Sequence, residues 1–220
     1  MRIPLVADGV VVKFADHVLL RDFALQVGPG ESVALMGPSG SGKTSLLKCL
    51  VGLAVPSAGS IEVAGSAMTG ISAEKRADAR RELIGTAYQT PDLLTEISVQ
   101  ENVAITLLFE GVGRDKALSD ARRSLASVGI EHLAERGVEN LSGGESQRVS
   151  LARALVRESM SLLVADEPTA SLDGANAVRL AELMTGMVHE RGIGAVIATH
   201  DQRVADRCDR VVELQMAMAQ

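Results

Sequence analysis

Aromatic side chains are scarce in this sequence. They make up 2% of the 220 residues, whereas hydrophobic residues of all kinds make up 46%. A chain of this length can bury a sizeable core, and with so few aromatic residues that core must be aliphatic. Cysteine is also scarce, and Cys49 and Cys208 lack the spacing of a metal site. We expect Cys49 to be a small buried hydrophobic residue.

Long apolar runs are missing as well. No uncharged hydrophobic stretch approaches the roughly 20 residues that cross a bilayer as a helix. The chain also reaches Asp8 too early for the apolar region of a signal peptide. We therefore expect a soluble, cytoplasmic chain that serves a membrane only through a partner. The formal net charge of -6 argues against a nucleic-acid partner, because phosphate backbones are bound by basic patches.

The most informative stretch is residues 37–44, which read GPSGSGKT. An apolar run precedes it and a helical pattern follows, which is the context of a phosphate-binding loop. Its glycines let backbone N–H groups point at an anion, and the helix start adds its positive dipole end. A glycine-rich turn with an exposed lysine is the alternative. The residues predicted to bind nucleotide here are Gly37, Pro38, Ser39, Gly40, Ser41, Gly42, Lys43, Thr44 and Ser45.

Lys43 and Thr44 have distinct predicted roles in this loop. The lysine can reach the terminal phosphates, and the threonine hydroxyl can bind Mg²⁺. Further along, the apolar run 161–165 delivers Asp166 and Glu167 to its carboxyl end, and the run 194–199 delivers His200. Because open parallel sheets bind ligands at such ends, these side chains are candidates for the metal and for water activation. A solvated turn is the alternative for the two acids.

Hydrophobic patterns predict an α/β fold. Two partly alternating strands at 5–13 and 17–27 are typical of an antiparallel sheet that is covered on one face. The other predicted strands lie at 32–36, 60–64, 84–89, 161–165, 194–199 and 210–214, and the helices at 45–52, 72–83, 102–109, 114–128 and 175–191. We expect one domain over 1–220. Its core covers about 1–89 and 158–220, and a helical subdomain of about 90–157 is inserted.

Two serine-to-glutamate spacings predict capping boxes at helix starts. Ser98 with Glu101 is one of them. Ser142 with Glu145 is the other, and two glycines between them bare the first amides of the helix. This second helix start could be a well-capped helix and nothing more, or a second anion site beside the phosphate loop. Phe14 could likewise be an edge hydrophobe or a ring that stacks on a nucleotide base.

Five pieces stand in one order along the chain: GPSGSGKT, the pair Tyr88 and Gln89, LSGGE, LLVADEPTASLD, and THD. Together they resemble the nucleotide-binding subunit of ATP-binding-cassette transporters over essentially the whole chain. The resemblance implies a P-loop NTPase core with a mainly parallel sheet, an N-terminal antiparallel β part and an inserted α-helical subdomain. It also implies ATP and Mg²⁺ as cofactors, and an ATPase whose hydrolysis is coupled to transport.

The resemblance assigns roles to individual residues. Phe14 matches the aromatic that stacks on adenine, and Lys43 and Thr44 match the phosphate and Mg²⁺ ligands. Asp166 matches the Mg²⁺-organising acid, Glu167 the general base and His200 the γ-phosphate switch. The remaining matches are Gln89 as metal and water contact, Ser142, Gly143 and Gly144 as the signature that meets the opposite subunit's γ-phosphate, and Asp173 as the acid across the dimer interface.

The resemblance also implies partners. Two chains would form a head-to-tail homodimer with two ATP molecules between them. They would power a separate membrane permease of the subgroup of macrolide, lipoprotein, haem or peptide exporters, without touching the transported substrate. The chain would then lie peripherally on the inner face of the cell membrane. The alternative is a cassette ATPase of cell-division type, which regulates a cell-wall enzyme or a sensor through its membrane partner.

Overall fold

Two β-sheets form the framework of residues 2–14 and 17–214, the part of the chain that the computed structural model describes. The first sheet has four antiparallel strands in the order β2-β1-β4-β5. Its strands are β1 (Leu5–Phe14), β2 (His17–Val27), β4 (Ala58–Val63) and β5 (Ser66–Ala67). The antiparallel N-terminal part that the sequence predicted is therefore present.

The second sheet has five parallel strands in the order β6-β7-β8-β3-β9. Its strands are β3 (Ser32–Met36), β6 (Ile84–Tyr88), β7 (Leu162–Asp166), β8 (Gly194–Ala198) and β9 (Arg210–Glu213). The central strands read as unbroken apolar runs because both of their faces are covered. Along β7, Leu162 and Val164 enter one hydrophobic cluster, whereas Leu163 and Ala165 enter the other.

Helices cover the parallel sheet. They are α1 (Lys43–Leu50), α2 (Ala73–Leu83), α3 (Val99–Leu108), α4 (Arg114–Ser127), α5 (Gly143–Leu155), α6 (Gly174–Arg191) and α7 (Gln202–Ala205), with a 3-10 turn at Glu131–Leu133. Both predicted capping boxes are present, and α3 starts directly after its cap, Ser98. The short elements β5 and α7 had no hydrophobic period to predict them. Over the described ranges, no helix is both long and apolar enough for a membrane span.

The core is aliphatic, as the composition predicted. The largest fully buried side chains of the described residues are leucines, isoleucines and methionines. Cys49 is buried with 3% of its surface exposed, which confirms its prediction as a small core residue. Helices α3, α4 and α5 follow β6 in the chain and share one hydrophobic cluster with α6 and one face of the parallel sheet. The assignment of 90–157 to a separate subdomain stays a prediction.

Candidate active site

The loop between β3 and α1 is shaped to hold an anion. Gly40 and Gly42 have φ angles of 81° and 89°, in the left-handed region that favours glycine. A Cβ at Gly37 would lie 2.7 Å from the Ser41 hydroxyl oxygen and 2.8 Å from the Leu214 carbonyl oxygen, so only glycine fits there. The N-cap of α1 is Gly42, which has no side chain to bind the first amides. Those N–H groups are left for a ligand.

Lys43 folds back over this loop. Its ammonium nitrogen donates to the carbonyl oxygens of Gly37, at 2.6 Å, and Pro38, at 3.2 Å. The positive charge is thus held beside the amides at the mouth of the loop. Amides, helix dipole and ammonium together provide the complementary charge for a chain of phosphates.

Strand register brings the other predicted residues to the same edge of the sheet. Tyr88 pairs with Asp166, and Asp166 with Ala198, so the carboxyl ends of β6, β7 and β8 are level. An open cleft of about 770 Å³ lies there. Its lining comprises Gly37, Pro38, Ser39, Gly40, Ser41, Gly42, Lys43, Thr44, Ser45, Gln89, Asp166, Glu167 and His200, together with Leu19 and Ala170.

Glu167 and His200 contact each other in the cleft. Nδ1 of His200 lies 2.9 Å from both carboxylate oxygens of Glu167. Glu167 adopts φ 48°, an uncommon conformation for a residue with a side chain, and its N–H is held by the Ala198 carbonyl oxygen at 2.9 Å. Such strained positions cluster at active sites, where the surrounding structure enforces them. The sequence predicted both residues for this site but gave no sign of their contact.

The helix start at Ser142 lies in a different cavity. This second cavity, of about 320 Å³, is lined by Ser142, Gly143, Gly144, Glu145, Arg148, Ser171, Leu172, Asp173 and Asn176. It has no lining residue in common with the phosphate cleft. One chain therefore brings the predicted site residues together as two separate groups. The role of Phe14 as an adenine-stacking residue stays a prediction, because its side chain lies outside the described residues.

Hydrogen bonds define the second cavity. The Ser142 hydroxyl accepts from the Glu145 N–H, at 3.3 Å, and donates to the Glu145 carboxylate, at 2.7 Å. That side-chain bond and a backbone bond from Ser142 hold the pKa of Glu145 below its ordinary value. Asp173 caps α6 by accepting from the N–H and the side-chain amide of Asn176, and these bonds lower the pKa of Asp173.

Sequence reasoning missed several residues of the site. Leu19, on β2, forms an apolar wall of the phosphate cleft beside Gly42, but β2 has other leucines and nothing in the pattern distinguishes this one. Gln147 and Arg153, on α5, hold the backbone of the loop that contains Gln89. Their distance in sequence from that loop left no local signal.

Comparison with known proteins identifies the family. A family model described as ABC transporter matches residues 20–170. The chain belongs to the ABC transporter family. The α/β fold with its P-loop is therefore that of an ABC ATPase, and the chain binds and hydrolyses ATP as the ATPase subunit of an ABC transporter.

Curated relatives and solved structures agree with this ABC ATPase assignment. The lipoprotein-releasing system ATP-binding protein LolD of Ruegeria pomeroyi is 44% identical over 196 residues, 89% of this chain and 86% of the relative. LolD 1 of Rhodospirillum rubrum is 41% identical over 191 residues, 87% and 84% of the two chains. The ATP-binding cassette MJ0796, solved as a dimer in a post-hydrolysis state with ADP and Pi, superposes with a TM-score of 0.84 at 29% identity, covering 96% of this chain and 94% of that one.

Proposed function

We propose that this ABC ATPase acts as a head-to-tail homodimer in which each ATP lies between the phosphate cleft of one chain and the Ser142 helix start of the other. The observation that supports this most strongly is the division of the site between two cavities of one chain. A rotation by 180° about a shared axis places the same two surfaces opposite each other twice. Within a single chain, the Ser142 helix start lies in a cavity separate from the phosphate loop, so only a second chain could bring it to the γ-phosphate.

The glycines at the start of α5 support a partner that comes close. Gly143 and Gly144 do not have left-handed φ angles, and a Cβ on either would lie no closer than 3.7 Å to any atom outside its own neighbourhood. Neither space nor backbone conformation within the chain therefore requires glycine. A glycine at a helix start costs stability relative to alanine. An approaching phosphate group, which needs bare amides, explains the glycines.

Glu167 is the proposed general base for the attacking water, with His200 holding its carboxylate. Proton transfer to such a base contributes about 10² to 10⁴ in rate. A charge-stabilising donor supplied by a second protein contributes about 10³ to 10⁵ in related nucleotide hydrolases. Because the second range lies about tenfold higher, a monomer with Glu167 intact should still turn over slowly.

Mg²⁺ fits the oxygen groups of the cleft. Thr44, Asp166 and Gln89 line the same cavity and provide a hydroxyl, a carboxylate and an amide oxygen. Mg²⁺ commonly keeps several waters and binds few protein oxygens together with substrate phosphates. It would neutralise charge on the β- and γ-phosphates. We assign Asp166 and Thr44 to hold it and Gln89 to contact it from the loop after β6.

The proposed partner is a separate membrane permease, to which the dimer is bound on the inner face of the membrane. The curated relatives are named as ATP-binding proteins of lipoprotein-releasing systems, which supports lipoprotein release more than regulation of a cell-wall enzyme. ATP binding would close the dimer, and hydrolysis would open it. The permease would convert this movement into work on the lipoprotein.

Glu167→Gln tests the function. The amide cannot accept the proton of the attacking water, so we expect turnover to fall by about 10² to 10⁴. ATP-dependent dimers should persist and be visible by light scattering. Glu190→Gln removes one charge from α6 outside both cavities and should turn over at the parental rate. Parental turnover by Glu167→Gln would refute the assignment of the base, and a fully active monomer would refute the shared site.

A further inference from the structure

Helix α5 holds the loop that follows β6 by its backbone. Nε2 of Gln147 donates to the Gln89 carbonyl oxygen at 2.6 Å. The guanidinium of Arg153 donates to the carbonyl oxygen of Asp92, at 3.1 Å, and to that of Pro91. Two side chains of one helix thus bind three carbonyl groups of residues 89–92.

The buried position of the Gln147 side chain is energetically unfavourable. Only 2% of its surface is exposed, and its side-chain oxygen finds no hydrogen-bond partner among the described residues. An unpaired buried polar atom is unfavourable, whereas an apolar residue of similar size would fill the same space. Packing therefore does not explain a glutamine here. Its bond to the Gln89 carbonyl group does, because it fixes the residue that lines the phosphate cleft.

Helix α5 packs closely against β6. A Cβ at Gly85, in β6, would lie 2.4 Å from the Ala154 carbonyl oxygen of α5 and 2.4 Å from the Met160 sulfur. The helix therefore rests directly on the strand that ends beside Gln89. At its other end, α5 begins in the second cavity with Gly143 and Gly144. Helix α5 thus starts in the second cavity and is hydrogen-bonded, through Gln147, to Gln89, which lines the phosphate cleft.

We propose that Gln147 and Arg153 are positioning residues, which hold residues 89–92 against α5. A nucleotide that is bound in the partner subunit's cleft and contacts the start of this subunit's α5 would then determine the position of Gln89 in this subunit's own cleft. The inference rests on the proposed function, because it needs the shared site. The two nucleotide sites of the dimer would then be coupled to each other through α5. Neither side chain lines the phosphate cleft or the second cavity.

The test uses Gln147→Leu and Arg153→Met in the Glu167→Gln chain. Hydrogen exchange measured by mass spectrometry follows the peptide that spans 89–92. We expect ATP to drive dimerisation of both variants, because the start of α5 is intact, but the ATP-induced protection of 89–92 to be lost. With Glu167 restored, kcat should fall by about tenfold, the effect of one ordinary hydrogen bond, with KM for ATP changed by less than about twofold.

Arg191→Met is the matched control. Arg191 also donates to two backbone carbonyl groups, those of Leu155, at 2.5 Å, and Arg157, at 2.6 Å, but it lies outside both cavities. The Arg191→Met variant should keep the ATP-induced protection of residues 89–92 from hydrogen exchange and the parental kcat. Equal losses in Arg191→Met would overturn the proposal, because they would reflect a general loosening of α5. Arg153→Lys, which keeps a donor, should recover part of the protection.

The outcomes separate this inference from the proposed function. If Glu167→Gln does not dimerise with ATP, the shared site is wrong and the inference falls with it. If it dimerises and Gln147→Leu retains both protection and kcat, only the role of Gln147 is refuted. Circular dichroism establishes that each variant is folded. If Gln147→Leu fails to fold, Arg153→Met alone decides the test. Loss of the ATP-induced protection of residues 89–92 in Arg153→Met would support the proposal, and retention of that protection would overturn it.

Discussion

The Ser142 hydroxyl group is engaged within its own chain. It donates to the Glu145 carboxylate at 2.7 Å, and the Ser142 N–H donates to the same oxygen at 2.7 Å. These bonds favour the ionised carboxylate, which lowers its pKa. For the hydroxyl to donate to a phosphate instead, it must turn away from Glu145. In the described conformation, the Gly143 and Gly144 amides are the donors that the helix start offers.

Ser142→Ala should raise the pKa of Glu145 towards its ordinary value, because the largest stabilising contact of the carboxylate is lost. A carboxylate with a lowered folded-state pKa stabilises the fold above its unfolded pKa, and this stabilisation disappears as pH falls through the folded pKa. We therefore expect a loss of about 1 kcal/mol at neutral pH, typical of a deleted cap, and a smaller loss in acid. Carboxyl NMR titration and urea unfolding measure the two effects.

Ser98→Ala is the matched control, since Ser98 and Glu101 form the same box at the start of α3. It should destabilise the chain by a similar amount and leave the Glu145 pKa unchanged. An unaltered Glu145 pKa in Ser142→Ala would contradict the assigned cause.

At the scale of elements, the two glycines at the start of α5 lower helix stability and leave its first amides uncovered. Gly144 has ordinary helical space around it, and the nearest atom to an added Cβ is Leu172 Cδ2 at 4.0 Å. Alanine should therefore fit the folded chain, and would lose less conformational entropy on folding than glycine. The same Cβ would cover the amides that are proposed to face the partner's nucleotide.

Gly144→Ala should therefore raise the free energy of unfolding, by up to about 1 kcal/mol, and yet lower ATPase activity. Urea unfolding and steady-state turnover measure the two effects. Gly186→Ala is the control, because Gly186 lies within α6 with no atom within 4 Å of its added Cβ. It should stabilise the chain similarly and leave turnover unchanged. Full activity of Gly144→Ala would remove the argument for a close partner at this helix start.

Most elements could be predicted because their signals are local. The unbroken apolar runs predicted the buried strands of the parallel sheet, and the serine–glutamate spacings predicted the two capped helices. Helix α7 was missed because four residues, Gln202–Ala205, are too few to show a period. Strand β5 was missed because its two residues pair with β4 and have no pattern of their own.

At the scale of the whole molecule, the loop after β6 forms a rigid, exposed edge. The buried Asn102 side chain accepts from the Leu94 N–H at 2.7 Å and donates to the Leu94 carbonyl oxygen at 2.9 Å. Leu94 nonetheless has 44% of its surface exposed, and the nearby Tyr88 has 38%. A fixed loop with exposed apolar side chains, adjacent to Gln89, is a suitable surface for a short cytoplasmic helix of the proposed permease.

A photo-crosslinking residue at Leu94 should capture such a permease in membranes of the native host. The control position is Val211, which is 40% exposed on β9, at the opposite edge of the parallel sheet. A crosslinker there should capture no permease, because the two edges are about 19 Å apart at a spacing of about 4.8 Å between strands. Capture at Val211 alone would place the permease on the wrong side of the molecule and contradict the proposal.

The sequence by itself determined the chemistry of each group. Glycines at 37, 40 and 42, the lysine and threonine that follow, and the acids at 166 and 167 are recognisable because the backbone and side chains that bind phosphate must be contiguous along the chain or stand at strand ends. The predicted residues around the phosphate loop accordingly line one cleft.

Only the tertiary structure decided which groups meet. The order of strands in the sheet brought Glu167 within 2.9 Å of His200, although the two residues are 33 positions apart in the chain. It also placed Gln147 on the Gln89 carbonyl group and put the Ser142 helix start in a separate cavity. Contacts of this kind depend on how helices and strands pack in space, and a pattern confined to neighbouring residues contains no record of that packing.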